Sequence, residues 1–314
     1  MKVVITGALG HIGSRLIRQI PERFPGADII MIDNLSTQRY CSLFNLPEGG
    51  NYFFHEADIL AADLAPFLED AEAVIHLAAI TNAAGSFQIR EQAEQVNFTG
   101  TERIARACLE TGCPLMFLST TSVYGTQKEL VDESCSVEDL KPQSPYAESK
   151  LKAERLLEEL GSREGLRFIT LRFGTVFGTS IGMRFHTAVN KFCWQAVLGE
   201  PITVWRTALH QKRPYLDLED AIRVIVFILE NELFSGKLYN AVTTNATVDD
   251  VVQIIKRYVP DLSIQYVDTE IMNQLSYNVS SDRFRSLGFD FKGDMDSGIH
   301  QTIALLKGLQ RGRL

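Results

Sequence analysis

Six short apolar runs recur through the first 180 residues: Val3 to Thr6, Asp28 to Ile32, Asn51 to His55, Ala73 to Leu77, Leu115 to Leu118 and Arg167 to Arg172. Apolar runs this short fit buried strands, and the stretches between them have helical spacing. Strand and helix in strict alternation predict an α/β fold built on a doubly wound parallel sheet. Ligands of such a sheet gather at the carboxyl ends of its strands. Gly7, Asp33, Asp58, Ala78, Thr120 and Thr175 each follow an apolar run at that end.

After about residue 178 the alternation loosens into Met183 to Leu198, a short Ile202-Thr203-Val204 strand, a polar stretch to Arg213 and further helices. We therefore expect a first domain over 1–178 and a smaller, mainly substrate-binding lobe over 179–314, some of whose segments return to the first domain. Two long helices are expected at Gln88 to Thr111 and Pro145 to Glu159. Their small residues would let them pair across a dimer or pack on the sheet.

The first strand runs straight into Gly7-Ala8-Leu9-Gly10-His11-Ile12-Gly13 and then a helix, the strand–turn–helix opening of a Rossmann-type dinucleotide site. Gly7 permits the tight turn, Gly10 the approach of a pyrophosphate and Gly13 the packing of helix on strand. The amides that open the helix, from His11 and Ile12 onward, face the negative charge. The spacing is one residue longer than G-x-G-x-x-G. Asp33 ends the second strand twenty residues beyond Gly13, placed to accept the adenosine-ribose hydroxyls and to repel a 2′-phosphate. This favours NAD, with Arg39 nearby as the residue an NADP reading would use.

Tyr146 and Lys150 stand four apart in Tyr146-Ala147-Glu148-Ser149-Lys150, so a helix puts both on one face. An ammonium beside a phenol favours the phenolate, which predicts that Tyr146 exchanges a proton with a substrate hydroxyl near neutral pH.

Composition narrows the partners. A net charge of −8 with no basic block argues against a nucleic-acid polymer, so acidic substrates must be held by particular arginines or amides. The five cysteines form no C-x-x-C pair and are odd in number, which fits a reducing cytoplasm; no metal site is expected. The strand at residue 3 and the apolar stretch Ala221 to Leu229, interrupted by Arg223, lead us to expect neither a signal peptide nor a membrane segment.

With the glycine turn, Asp33-Asn34-Leu35-Ser36-Thr37, Asp58-Ile59, His76-Leu77-Ala78-Ala79, Asn97-Phe98-Thr99-Gly100-Thr101, Ser119-Thr120-Thr121-Ser122-Val123-Tyr124-Gly125 and Tyr146-x-x-x-Lys150 in that order, the chain resembles the extended short-chain dehydrogenase/reductases. Within them it is similar to the nucleotide-sugar epimerase/dehydratases. The resemblance is close over residues 1–180 and looser to Arg213-Pro214-Tyr215 and Ser286-Leu287-Gly288-Phe289. It implies cofactor contacts from Asn34, Ser36, Thr37, Asp58, Ile59, Leu77, Ala78, Ala79, Thr81 and Asn97, with Asp58 and Ile59 flanking the adenine. Thr120 would bond the reacting sugar oxygen, Lys150 would also hold the nicotinamide ribose, and Arg213 and Asn190 would serve the nucleotide diphosphate. His76 and Asn97 read also as structural hydrogen-bonders, and Trp194, Trp205 and the cysteines as packing.

Departures from the family pattern direct the functional reading. A 4,6-dehydratase resembling this chain would carry Thr-Asp-Glu where Thr120-Thr121-Ser122 stands, so no carboxylate is supplied for expelling water. Thr175 replaces a frequent asparagine, as in epimerases that handle uronic acids, and Arg184 lies near it as a counter-charge for a carboxylate. The second diphosphate arginine has no clear match, leaving Arg206 or Arg283 as substitutes. The expectation is an NAD-dependent epimerase inverting C4 of a UDP-hexose or UDP-hexuronate. The alternatives are a dehydratase or decarboxylase, a 4-ketosugar reductase, and a non-catalytic NAD-sensing regulator.

Overall fold

The computed structural model describes residues 1–83, 85–125, 129–268 and 276–309. In chain order its strands are β1 (Lys2–Thr6), β2 (Asp28–Asp33), β3 (Asn51–Glu56), β4 (Ala73–His76), β5 (Leu115–Thr120), β6 (Leu130–Val131) and β7 (Phe168–Phe173). They continue with β8 (Thr175–Phe177), β9 (Ile202–Trp205), β10 (Lys212–Asp217), β11 (Leu238–Ala241), β12 (Thr244–Thr247), β13 (Ile264–Val267) and β14 (Asn278–Val279). The helices are α1 (His11–Arg23), α2 (Ala65–Leu68), α3 (Arg90–Glu94), α4 (Gly100–Thr111), α5 (Pro145–Glu164), α6 (Ala188–Val197), α7 (Leu218–Glu230), α8 (Val248–Tyr258), α9 (Asp282–Arg285) and α10 (Met295–Leu306).

Seven strands form one parallel sheet in the order β11-β7-β5-β4-β1-β2-β3. The order reverses beside β1, which pairs with β2 on one side and β4 on the other. That switch point opens the crevice where a ligand fits. Side chains alternate across the sheet: Val3 and Ile5 join the core beneath α1 and α7, and Val4 joins the core beneath α4 and α5. A third core, around Phe177, Phe192, Val251, Ile255 and Ile299, belongs to the smaller lobe.

All six strands expected from the apolar runs are present. The seventh, β11, comes from beyond residue 178, and its apolar signal is weak because buried Asn240 interrupts it. The Asn240 side chain accepts the Tyr124 hydroxyl at 2.9 Å and donates to the Ser280 carbonyl at 3.0 Å. The single helix expected over Gln88–Thr111 is in fact α3, a π-helical turn at Gln95–Thr99, and α4. The wider turn directs Asn97 inward. Helix α5 continues past Glu159 to Glu164, where Gly165 ends it with a left-handed φ of 80°.

Two kinds of charge pairing hold α5. On its outer side Arg90–Glu148, Lys152–Glu94 and Arg106–Glu164 link it to α3 and α4, half-exposed pairs that each contribute little. On its inner side Glu154 receives Arg172 of β7 through two bonds, Nε to Oε1 at 3.0 Å and Nη2 to Oε2 at 2.6 Å. Ser119 of β5 donates to the same Oε1. Glu154 and Arg172 are 3% and 6% exposed, so water cannot replace either partner.

Two predictions follow from these buried groups. Arg172→Leu leaves the Glu154 carboxylate buried and unpaired, and should lower stability by about 3–5 kcal/mol in urea unfolding. His76 lies between Thr6 Oγ1 at 2.7 Å and Thr101 Oγ1 at 3.1 Å, and burial, with the Lys150 charge, lowers its pKa to about 3. Between about pH 3 and the ordinary value of 6.5 the unfolded chain therefore binds the extra proton, and stability falls as pH is lowered through that window. Urea midpoints between pH 7 and pH 5 should decline less steeply in His76→Asn, by up to about 1.4 kcal/mol per pH unit.

Candidate active site

A cavity of about 870 Å³ opens at the carboxyl ends of β1, β2, β4 and β5 and continues into the smaller lobe. At its first end the glycine turn forms a cradle. Gly7 has a φ of 66°, and a Cβ on it would lie 2.6 Å from the Ala78 amide nitrogen; one on Gly13 would lie 2.6 Å from the Gly7 carbonyl oxygen. Only hydrogens fit at both places. Gly10, His11 and Ile12 line the cavity beside them.

Asp33 faces this end and also fastens it. Its Oδ2 accepts the Leu9 amide at 3.1 Å and its Oδ1 the Leu35 amide at 3.0 Å, so the carboxylate joins β2 to the turn. Asn34 donates to Asp58 Oδ2 at 3.1 Å, and Asp58 Oδ1 accepts the Leu60 amide at 2.8 Å. Asn34, Ser36, Thr37, Asp58, Ile59, Leu77, Ala78, Ala79 and Thr81 all line the cavity.

Asn97 departs from the cofactor contact that the resemblance implies and takes the structural role also read for it. It is fully buried, outside the lining, accepting the Ile80 amide at 2.8 Å and donating to the Ile80 carbonyl at 3.0 Å and to Ser149 Oγ at 3.1 Å. It shapes the cofactor wall from behind.

This end fits a dinucleotide on the structure's own terms. The cradle admits a pyrophosphate against main chain, a carboxylate sits at the end of β2, and the buried His11 Nε2 has no partner among the described residues. His11 Nδ1 meets Ser180 Oγ at 2.8 Å, and burial lowers the ring's pKa to about 3, so it stands neutral.

Thr120, Tyr146 and Lys150 meet on the next wall. Helix α5 starts with Ser144 Oγ capping the Ala147 amide at 3.2 Å and Pro145 in the first turn. This places Tyr146 and, one turn on, Lys150 against the end of β5. The electrostatics differ from the sequence expectation. Burial pushes the Tyr146 phenol up to about 12, with the Thr120 hydroxyl and the Arg184 guanidinium pulling it down. Lys150 Nζ instead donates to the Leu118 carbonyl at 2.8 Å, above the Phe117 ring, and burial lowers its pKa to about 7. The helix spacing is as expected, but the main chain of β5 claims the ammonium.

At the far end the cavity is lined by Thr175 and Arg213, together with Ser122, Lys191, Phe192, Trp205 and Tyr215, and Arg184 lines it between the two ends. Arg184 Nη1 donates to Thr81 Oγ1 at 2.7 Å. Arg213 donates to Gln211 Oε1 at 3.0 Å and lies over the Tyr277 ring at 5.7 Å. Asn190 departs from its expected diphosphate contact: it is fully buried outside the lining, bonded to Gly178 and donating to the Arg184 carbonyl at 3.2 Å.

Neither suggested substitute for the second diphosphate arginine lines the cavity. Arg206 pairs with Asp268 at 3.3 Å, and Arg283 lies over the Tyr239 ring at 5.8 Å. Lys191, one residue after Asn190, lines it instead. Trp205, expected as packing, is also a lining residue, whereas Trp194 packs on Phe185. The sequence offered no signal for Lys191 or Trp205 beyond their nearness to Asn190 and the Ile202 strand. Among the described residues no three His, Cys, Asp or Glu gather as a metal site, and no helix is long and apolar enough to cross a membrane.

The chain is 30% identical over 96% of its length to a trifunctional UDP-glucose 4,6-dehydratase/UDP-4-keto-6-deoxy-D-glucose 3,5-epimerase/UDP-4-keto-L-rhamnose-reductase of Arabidopsis thaliana. It spans about half of that relative, 46% of its length. It is 28% identical over 99% of its length to a Bacillus subtilis protein described as an uncharacterized UDP-glucose epimerase, all of which it covers. Its fold matches that of a UDP-glucuronic acid 4-epimerase from Bacillus cereus, solved with UDP-glucuronic acid and NAD, with a TM-score of 0.84 at 23% identity over 98% of this chain and 99% of that one. The profile of the NAD dependent epimerase/dehydratase family matches residues 3–241, about three-quarters of the chain and every wall of the cofactor end, and the chain belongs to that family.

Proposed function

We propose that the chain is an NAD-dependent nucleotide-sugar epimerase that inverts C4 of a UDP-hexose or UDP-hexuronate through a 4-keto sugar. The observation that carries this reading is the sorting of charge in the cavity. Among its described lining residues the carboxylates are Asp33 and Asp58, both at the adenosine end, while the wall around Tyr146 carries Thr120 and Ser122. That wall can move a proton on a sugar hydroxyl and has no acid for eliminating water.

Bound NAD would supply an acceptor and then a donor for the C4 hydride. The chain's own residues do the remainder. Tyr146 acts as the phenolate, which the Thr120 hydroxyl and the Arg184 guanidinium favour against burial; in that form it accepts the C4 hydroxyl proton and later gives it back, and Thr120 orients the oxygen. Lys150 holds positive charge at this wall, and its lowered pKa lets it exchange a proton near neutral pH. Arg213 and Lys191 hold the diphosphate while the sugar turns over between the two faces. Thr175 offers a hydroxyl to a C6 carboxylate, whereas Arg184, bonded to Thr81 and close to His11 and Asp33, stands nearer the cofactor end.

A dehydratase reading draws on the plant relative's name. It would need a carboxylate where Ser122 stands.

We also propose a homodimer through the layer of α3, α4 and α5, where Phe87 and Ile89 lie exposed at its edge. The five free cysteines suit a cytoplasmic, reducing setting.

Tyr146→Phe should reduce turnover about a hundred- to ten-thousandfold while NAD remains bound, measured by steady-state assay and by cofactor released on denaturation. A loss below about tenfold would assign the proton to another group. Offered UDP-glucose, UDP-N-acetylglucosamine and UDP-glucuronate in turn, the protein should yield the C4 epimer by NMR with no net redox change. A 4-keto-6-deoxy product, or carbon dioxide from the uronate, would refute the reading. Thr175→Asn should weaken any preference for the uronate; an unchanged preference would make Thr175 a packing residue.

A further inference from the structure

The segment that carries Arg184 also lies across the dinucleotide turn. After β8, residues 178–187 run along the cavity rim before α6 begins at Ala188. Gly182 is pressed so closely onto the turn that a Cβ there would overlap the Leu9 carbonyl and lie 2.6 Å from the Gly10 carbonyl oxygen. Its amide donates to Ser14 Oγ at 2.9 Å, and Ser180 meets the His11 ring. Farther along, Asn190 holds the Arg184 carbonyl and Arg184 holds Thr81 on the segment after β4. The strap is thus fastened at the glycine turn and at Thr81, two walls of the same cavity.

The donors it gathers lack an acceptor. His11 Nε2 and Arg39 Nη1 are buried without a partner among the described residues. The His11 hydrogen bond through Nδ1 lets Nε2 carry the proton and donate, when the Ser180 hydroxyl is the donor to the ring. Burial and repulsion from Arg39 lower Arg184 to about 10, and burial with the Arg184 and Arg39 charges lowers His186 to about 4. Buried donors and cations of this kind are costly unless an anion meets them. A pyrophosphate carries two negative charges and acceptor oxygens on every side.

We propose that Arg184, held to Thr81 by the strap of residues 178–187, is a latch on the cofactor: with His11 Nε2 it engages the dinucleotide's pyrophosphate, and NAD exchange requires the Arg184–Thr81 bond to open. The proposal rests on the cofactor reading of this cavity and is independent of which sugar is converted.

The test is the residence time of NAD on the intact protein with no sugar present, read by chasing with excess 3-acetylpyridine adenine dinucleotide and quantifying released NAD by chromatography. Arg184→Met and Thr81→Val should each shorten it at least tenfold. The double variant should be no faster than the faster single one, because both changes open one latch. Arg184→Lys should restore only part of the residence time, since an ammonium lacks the guanidinium fork. Thr81→Val keeps the side-chain shape and decides the matter even where Arg184→Met folds poorly. Normal NAD binding with an unchanged residence time in Thr81→Val, or multiplicative effects in the double variant, would overturn the latch alone. So would a rise in KM for a uronate sugar as the sole effect of Arg184→Met. A wild-type chain that does not bind NAD would overturn the cofactor reading and the latch with it.

Discussion

The bidentate pair between Glu154 and Arg172 sets the position of Tyr146, Lys150, Thr120 and Thr175. Two ions buried this deeply lose most of their hydration, and only paired, well-directed hydrogen bonds offset the loss. The geometry is correspondingly specific: the fork of Arg172 on β7 fixes the carboxylate, and Ser119 on β5 fixes it a second time. Glu154 lies one helical turn after Lys150 and two after Tyr146. Anchoring it fixes the rotation of α5 about its axis, and with it the direction of the phenol. Thr120 follows Ser119 directly, and Thr175 lies three residues past Arg172. One ion pair therefore aligns the helix that carries Tyr146 and Lys150 with the strand ends that carry Thr120 and Thr175.

Along the cavity, charge is distributed by function. Carboxylates occupy the adenosine end, where ribose hydroxyls need acceptors. Cations occupy the middle and the far rim, where phosphates would pass. The reacting wall between them carries neutral hydroxyls and a lysine whose charge burial weakens. A substrate hydroxyl placed there would meet neither a fixed anion nor a strongly hydrated cation.

How much of this was legible in the chain depended on whether the signal was local. Five of the six strands expected from apolar runs could be read because they are buried on both faces, and the edge strand β3, which has no fully buried residue, because its aromatic run Tyr52-Phe53-Phe54 is unbroken. The glycine turn and Asp33 could be read because their spacing is set by one turn of chain. β11 could not, because Asn240 breaks its apolar run to bond a tyrosine more than a hundred residues away. Asn97 was legible both as a cofactor contact and as a structural hydrogen-bonder and Asn190 as a diphosphate contact, since an amide serves main chain or ligand equally well and only the fold decides. The Tyr146–Lys150 pair was legible as a spacing, whereas the raised phenol and the ammonium tied to Leu118 arise from burial. Lys191 and Trp205 lie in the smaller lobe, where the apolar pattern is weakest.

The late arrival of β11 has a consequence for how the chain is made. β7 is complete by residue 173, but the strand that pairs with its free edge is supplied only at 238–241. The helix that covers that side of the sheet, α7, is likewise supplied only at 218–230. While the polypeptide emerges from the ribosome, an unpaired edge and a bare apolar face are exposed together, the two features that invite association between nascent chains. A fragment ending at 178 would retain both for good. The glycine turn, although it occupies the first thirteen residues, is sealed by Gly182 and so acquires its finished shape only after more than half the protein has been synthesised.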